Sequence, residues 1–294
     1  MNVHIDGDIF RYRCAFAAER NQYLVELRNP SGFREYKELT NKKEAKQFGE
    51  RSVHGIAGAS YKIWTYKDVQ PVENALQIVK ASLETTLRDI ENKFNNSEIY
   101  PYIYMTGPKN FRDSIAKTKK YKGNREGIPK PIYYKDVGQY LVENYGAVFT
   151  DGYEADDAIS MRSTSDRKAG RESIVVSNDK DLDQIPGHHY DWIKKEFYTV
   201  SPKDAKTRLY LQTLSGDYVD DVPGLEGIGE SKAAAMLEGT KTPEDMVNVV
   251  WDKYKEKGQD YFLEQINLVY LLKEKDTFWL NTKDGEYWKD HFSA

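Results

Sequence analysis

The sequence predicts an α/β fold, a central mostly parallel sheet flanked by helices, with a helical region at the C-terminal end. Short apolar segments at 3–5, 100–105, 147–150 and 173–177 alternate with stretches of helical spacing, the pattern of parallel strands joined by helices. Carboxylates crowd the ends of the first, third and fourth of these segments, and in open α/β sheets chemistry gathers beyond the carboxyl ends of the strands. After about residue 200 the pattern turns helical.

Each element follows from local spacing. Val3 and Ile5 alternate in a short strand that ends at Asp6-Gly7-Asp8, with a helix from about Ile9. Residues 22–37 read as a β-hairpin turning at Asn29-Pro30-Ser31-Gly32, and residues 38–60, rich in Lys, Glu and Gly, as surface. Val72, Leu76, Val79, Leu83, Leu87 and Ile90 put 72–94 into a helix with one packed face. A strand at 100–105 follows, then a helix marked by Val137, Tyr140, Leu141 and Tyr145, a strand at 147–150, a helix at 154–167 and a strand at 173–177. Ser201-Pro202-Lys203-Asp204 supplies a cap, a first-turn proline and an acid three residues on; Thr242-Pro243-Glu244-Asp245 does the same for a later helix. Leu263, Ile266, Val269 and Tyr270 give an apolar stripe near the end.

With 294 residues, 39% of them hydrophobic, the chain can bury a substantial core as one large domain, or one with a smaller appendage. The formal charge of −4 alone argues against a nucleic-acid partner. A site that collects metal ions must concentrate negative charge, however, so the distribution outweighs the sum. Cys14 is the single cysteine, which excludes an intramolecular disulfide framework and a thiolate zinc site and fits a reducing compartment. No apolar stretch nears the ~20 residues that cross a bilayer, and the N-terminus lacks the basic and apolar regions of a signal peptide. A soluble cytoplasmic protein with no membrane partner is expected.

The acids fall in clusters: Asp6 and Asp8; Glu154, Asp156 and Asp157; Asp179 and Asp181; Asp217, Asp220 and Asp221. Each has an ordinary explanation, since acids at a helix start gain about 0.3–1 kcal/mol from the dipole and aspartates cap turns. Together, in one α/β unit, they would repel one another unless cations neutralised them. An all-oxygen set suits Mg²⁺ or Mn²⁺, and two such ions ~4 Å apart would activate water and stabilise both oxygens of an in-line displacement.

Gly227-Ile228-Gly229-Glu230-Ser231-Lys232 leads into an Ala-rich helix and reads as a helix-hairpin-helix, a turn that grips a nucleic-acid backbone through its N–H groups. Gly227, Gly229 and Lys232 are its candidate contacts; an ordinary tight turn is the alternative. Residues 117–130 carry six positive residues against one negative, with Lys119, Lys120, Lys122 and Arg125 around Tyr121. The basic charges suit phosphates and the ring could stack a base, with Arg112 extending the positive surface; a solvated loop is the plainer reading.

Taken in order, Asp6-Gly7-Asp8, Tyr121-Lys122-Gly123-Asn124-Arg125, Tyr153-Glu154-Ala155-Asp156-Asp157, Ser177-Asn178-Asp179-Lys180-Asp181 and Gly216-Asp217-Tyr218-Val219-Asp220 with Gly227-Ile228-Gly229 resemble the structure-specific 5′ nucleases: phage 5′→3′ exonucleases, flap endonucleases and the 5′-nuclease domain of bacterial DNA polymerase I. The likeness spans residues 1–235, and the stand-alone length is most similar to the phage enzymes. It implies a PIN-like core over 1–200, with the hairpin near 22–37 as an insertion and a basic helical arch near 108–131, and a helix-hairpin-helix region over 201–294. It further implies a replication nuclease that cuts DNA with 5′ ends, flaps or RNA primers, acting as a monomer beside replication proteins of the same system. Asp6, Glu154, Asp156, Asp157, Asp179, Asp181, Asp217 and Asp220 would surround two Mg²⁺ ions, which Mn²⁺ could replace. Lys122 and Arg125 would contact the scissile phosphate, and K⁺ would bind at the helix-hairpin-helix. One feature departs from the family: Gly107 stands where an aspartate ligand is usual. A non-catalytic junction-binding protein with a decayed metal site is the alternative, as is a PIN-type nuclease acting on RNA alone.

Overall fold

Val3, His4, Ile5 and Asp6 are all buried, so the first strand, β1 (Asn2–Asp6), is covered on both faces as a central strand of a parallel sheet must be. The computed structural model describes residues 1–95 and 98–293. In chain order β1 is followed by α1 (Gly7–Ala17), β2 (Glu19–Arg28), β3 (Arg34–Leu39), α2 (Lys42–Val53), β4 (Ser60–Val69), α3 (Val72–Lys93), β5 (Tyr100–Met105), α4 (Arg112–Ile115) and α5 (Tyr134–Tyr145). Then come β6 (Val148–Phe149), α6 (Ala155–Lys168), β7 (Ser173–Val176), β8 (Gly187–Asp191), β9 (Glu196–Val200), α7 (Pro202–Ser215), α8 (Glu230–Leu237), α9 (Pro243–Tyr254), α10 (Gln259–Val269) and α11 (Lys283–Phe292).

The chain divides into two compact units, one of Met1–Ile9, Glu84–Pro129 and Leu141–Ala294, the other of Phe10–Leu83 and Lys130–Tyr140. The boundary expected near residue 200 is not where it divides. Leu271 packs in one buried cluster with Ala158, Ile159, Val175 and Leu182, so segments after 200 share a core with strands before it.

In the first unit the strands run β6-β5-β1-β7-β8-β9, parallel except for β9, which returns antiparallel on β8. Ile5 faces Ile103 on one side and Val176 on the other, and Asp6 faces Tyr104, which brings the carboxyl ends of β1, β5 and β7 side by side. The predicted parallel sheet is therefore the one that forms. The β8–β9 hairpin was not expected. Helices α7 to α11 close on a second core in which Phe262 and Trp279 meet edge to face with centroids 5.4 Å apart. The arch expected near 108–131 is largely irregular: its described helical pieces are the four residues of α4 and a 3-10 turn at Gly123–Arg125. The first half of the basic stretch is tied down, whereas residues 124–130 are exposed. Glu264 of α10 accepts the backbone N–H groups of Lys117 and Thr118, each at 2.7 Å, and Lys122 N–H donates to Asp220 O at 2.8 Å.

The second unit contains a three-stranded antiparallel sheet, ordered β3-β2-β4. β2 and β3 form the hairpin expected from 22–37, in register from Tyr23–Leu39 to Arg28–Arg34. The segment expected to be plain surface holds α2, capped by Asn41, whose side chain accepts Lys43 N–H and Glu44 N–H at 2.8 and 3.2 Å.

Candidate metal and nucleic-acid site

Asp6 ends β1 with its carboxylate buried. Its Oδ1 accepts the N–H groups of Asp8 and Ile9 at 3.1 and 3.3 Å, and Ser177 Oγ at the end of β7 donates to Oδ2 at 2.9 Å. Burial, then the charges of Asp8 and Asp179, push Asp6 up to about 7. Asp8 turns to the neighbouring strand, where its Oδ2 accepts Thr106 N–H at 2.9 Å. Gly107 follows Thr106. A Cβ there would lie 2.0 Å from Thr150 O, so the backbone packs where a side chain would begin and no aspartate fits without moving the chain.

Glu154 caps α6, and its carboxylate is surrounded by donors: Tyr121 OH at 2.8 Å, the ammonium of Lys122, and Arg112 Nη1 at 3.6 Å. Burial works to raise this carboxyl, but Lys122 and Arg112 outweigh it and hold it below its usual value. Asp156, two residues on, has the opposite fate. Burial and the charges of Asp6, Asp179 and Glu154 lift it well above the usual range. Asp157 does not join the cluster as expected. It forms a two-pronged pair with Arg112 at 2.6 and 3.0 Å and accepts Leu272 N–H and Glu154 N–H at 3.0 and 3.1 Å, which fills its acceptor sites. Arg112 in turn donates to Leu268 O and Tyr270 O, each at 2.8 Å, and is 1% exposed. It therefore adds nothing to a positive surface.

Asp179 caps the 3-10 turn Lys180–Gln184 and accepts Asp181 N–H at 2.9 Å. Asp181 meets α7, where Arg208 Nη2 and Gln212 Nε2 donate to it at 2.9 and 2.6 Å. Even so, burial and the charges of Asp179 and Asp217 push it up to about 7. Asp217 folds its own loop by accepting the N–H groups of Val219 and Asp220 at 2.7 and 3.0 Å. Arg208 and Gln212 were not singled out from sequence; their four-residue spacing on α7, which puts both on one face, was the available signal.

The basic stretch lies against these acids. Arg125 Nη2 donates to Asp220 Oδ1 at 2.7 Å and its Nε to Val219 O at 3.0 Å, while Lys122 Nζ stands 3.6 Å from Asp220. Lys119 pairs with Asp221 and Lys120 with Glu126. Tyr121, expected to offer its ring to a base, is 5% exposed, with its hydroxyl also 2.6 Å from Asp220 Oδ2. The glycine turn leads straight into α8, with Gly227 at φ +74 and Gly229 at the cap, and no atom stands within 4 Å of a Cβ built on either. Lys232 folds back and donates to Gly227 O at 2.8 Å.

Glu154, Asp156, Asp181, Asp217 and Asp220 thus line one cavity of about 10 Å³, room for roughly one water-sized sphere. Among the described residues no three His, Cys, Asp or Glu side chains are already drawn into a metal cage. Lys122, Arg208 and Gln212 hold Glu154 and Asp181 aside. The residues nonetheless fit a hard divalent cation: the donors are oxygens, Asp6, Asp156 and Asp181 are raised by burial and then by neighbouring carboxylates, and the buried Asn178 Oδ1 beside Asp179 has no hydrogen-bond partner.

The family described as 5′-3′ exonuclease, N-terminal resolvase-like domain, matches residues 61–210. The chain is 29% identical over 168 residues to the 5′-3′ exonuclease of Buchnera aphidicola, covering 52% of this chain and 57% of that protein. It is 28% identical over 191 residues to DNA polymerase I of Rhizobium leguminosarum, covering 58% of this chain and 18% of the polymerase. It therefore spans less than two thirds of each of these relatives. T5 5′-exonuclease, solved with divalent metal ions (zinc) bound, shares the fold at a TM-score of 0.50 and 16% identity, over 71% of this chain and 84% of that one.

Proposed function

Because the chain belongs to the family of 5′-3′ exonucleases with an N-terminal resolvase-like domain, we propose that it is a metal-dependent phosphodiesterase that hydrolyses DNA from 5′ ends, including flaps and RNA primers annealed to DNA. The observation that carries this reading is the convergence of five carboxylates from α6, the β7 exit and the 217–220 loop on one small cavity, with Asp6 and Asp179 coupled to them through Asp156. We assign Asp6, Glu154, Asp156, Asp179, Asp181, Asp217 and Asp220 to two Mg²⁺ ions, replaceable by Mn²⁺, and leave Asp157 as the residue that orients Arg112. Such ions supply water activation and charge stabilisation for in-line displacement.

The remaining steps belong to the protein. Lys122 and Arg125 pair with Glu154 and Asp220; were those carboxylates to hold a divalent ion, both side chains would be placed to hold the scissile phosphate. With Gly107 in place of a carboxylate, one ion has a smaller protein ligand set, and activity is expected to need high Mg²⁺ or to favour Mn²⁺. The Gly227–Gly229 turn and the start of α8 would hold the duplex backbone, with K⁺ competing against the Lys232 ammonium for Gly227 O.

The test compares a labelled 5′ flap, a nicked duplex and a primer-like RNA–DNA hybrid with and without Mg²⁺. Asp179→Ala is expected to lower cleavage by on the order of a thousandfold and to leave DNA binding within a few-fold. Retained turnover in that variant would overturn the site.

A further inference from the structure

The three-stranded sheet of the second unit has one face covered by α2 and one open. Strand register decides which side chains share the open face. Lys62 stands opposite Glu26, Trp64 opposite Leu24 and Tyr66 opposite Gln22, while across β2 Tyr36 stands opposite Glu26 and Arg34 opposite Arg28. Arg20 joins them opposite Asp68. Tyr36, Trp64 and Tyr66 are 51%, 46% and 41% exposed.

Sheet stability does not require these rings. Cross-strand aromatic pairs stabilise a sheet when the rings face each other, and here each faces an aliphatic, amide or carboxylate side chain. The rings are nevertheless held in place. Trp64 Nε1 donates to Glu26 Oε2 at 3.3 Å, Tyr66 OH donates to Glu38 Oε1 at 2.8 Å, and Lys62 Nζ lies 3.6 Å above the Trp64 ring. Glu26, 3% exposed, is held between Arg28 Nε at 2.6 Å and Arg34 Nε at 3.4 Å, so one buried carboxylate positions two guanidinium groups and the indole. On this face itself four cations, Arg20, Arg28, Arg34 and Lys62, stand among three carboxylates, Glu26, Glu38 and Asp68, so its balance is slightly positive in a chain of net charge −4. Leu24 is the only aliphatic side chain among these positions, which disfavours an apolar protein partner.

We propose that this face binds a single-stranded segment of nucleic acid, stacking bases on Tyr36, Trp64 and Tyr66 and pairing phosphates with Arg20, Arg28, Arg34 and Lys62. Trp64 and Tyr66 lie two residues apart on β4, about 6.7 Å along the strand, which gives successive splayed bases separate rings. Rings interleaved with cations are the general means of holding single strands without reading sequence. The inference deepens the nuclease reading and rests on it for the choice of ligand.

The full-length chain is titrated with fluorescein-labelled dT15, rU15 and a blunt duplex in EDTA, where no metal-dependent cleavage interferes. Wild type is expected to bind the single strands. Trp64→Ala is expected to weaken this about tenfold and Trp64→Phe by much less, while Arg28→Gln with Arg34→Gln flattens the salt dependence. The dT15 and rU15 arms separate a DNA from an RNA source of the strand. The triple variant Tyr36→Ser, Trp64→Ser, Tyr66→Ser, with its fold checked by circular dichroism, decides the matter. If it binds dT15 and rU15 as tightly as wild type, or if its only change is a loss of self-association, the proposal is overturned. Failure of the two readings is separable: an Asp179→Ala chain that still cleaves overturns the nuclease site and leaves the sheet to the triple variant, whereas a triple variant that cleaves normally and binds dT15 like wild type overturns the sheet site alone.

Discussion

Asp156 and Asp157 are adjacent in the first turn of α6 and live in opposite electrostatic worlds. Asp157 has a guanidinium and two backbone N–H groups on its oxygens. Asp156 faces Asp6, Asp179 and Glu154 and is lifted well above the usual carboxylate range. The same division runs through the whole end of the sheet, with Asp6 and Asp181 raised and Glu154 lowered by Lys122 and Arg112. Charge that the chain neutralises for itself is structural. Carboxylates left facing like charge are the ones a divalent cation would relieve most, on the proposed reading of the site.

The largest effect separating the two classes is loss of the buried pair. Removing one member of such a pair leaves the other charged and unpartnered, at about 3–5 kcal/mol. Asp157→Ala is expected to lower the unfolding free energy, read from urea titrations in EDTA, by that amount, and Arg112→Ala comparably. A midpoint unchanged by Asp157→Ala, together with lost metal binding, would move Asp157 into the ligand set and erase the contrast with its neighbour.

Asp156 should respond in the other direction. Its carboxyl is raised in the folded chain, so folding favours the protonated form, and stability falls as pH rises through the folded value. Asparagine imitates that form at every pH. Asp156→Asn is therefore expected to stabilise the metal-free protein at neutral pH by on the order of 1 kcal/mol while weakening divalent-ion binding in calorimetry. Destabilisation in EDTA would mean that a protein donor already compensates Asp156.

Sequence carried the frame of this site further than its details. Apolar segments of strand length placed β1, β5 and β7, and acids at the ends of β1 and β7 marked the edge where the carboxylates gather. Spacing could not say which acid meets which cation, because Asp156 and Asp157 are chemically alike and the guanidinium that sorts them lies 45 residues away in sequence. Arg112 and Tyr121 were read as surface because they border a basic run, whereas burial among α10, Asp157 and Glu154 is a tertiary fact. Helix α2 was hidden by its Lys and Glu content, since only Ala45 and Gly49 along it are buried; the Asn41 cap with Glu44 three residues on was its visible signal. The β8–β9 hairpin lacks a glycine turn and passes through Lys195 at φ 58, so no turn motif announced it.

The rule that separates Asp156 from Asp157 has a mirror in a cation. Lys273 donates to two neutral groups, Ser160 Oγ at 3.1 Å and Gln184 O at 2.9 Å, and among the described residues no carboxylate is hydrogen-bonded to its ammonium, Asp157 acting on it only through its charge. Burial first, then the charges of Arg167 and Lys206, bring it down from 10.5 to about 7. Between those values the unfolded chain holds a proton that the folded chain has released, so stability rises with pH across that window and is flat below it. One full proton would give about 1.4 kcal/mol per pH unit; water reaching this half-buried side chain lowers the expectation to about 0.5 kcal/mol per pH unit. Lys273→Met keeps the length of the side chain without the charge, and the difference between its urea midpoints and those of wild type from pH 7.5 to 9.5 isolates this group from every other one that titrates in that range. Parallel midpoints would mean that Lys273 keeps its proton when folded. Unpartnered charge would then be costly at the acidic cluster alone, and the contrast between Asp156 and Asp157 would belong to that cluster rather than to the whole chain.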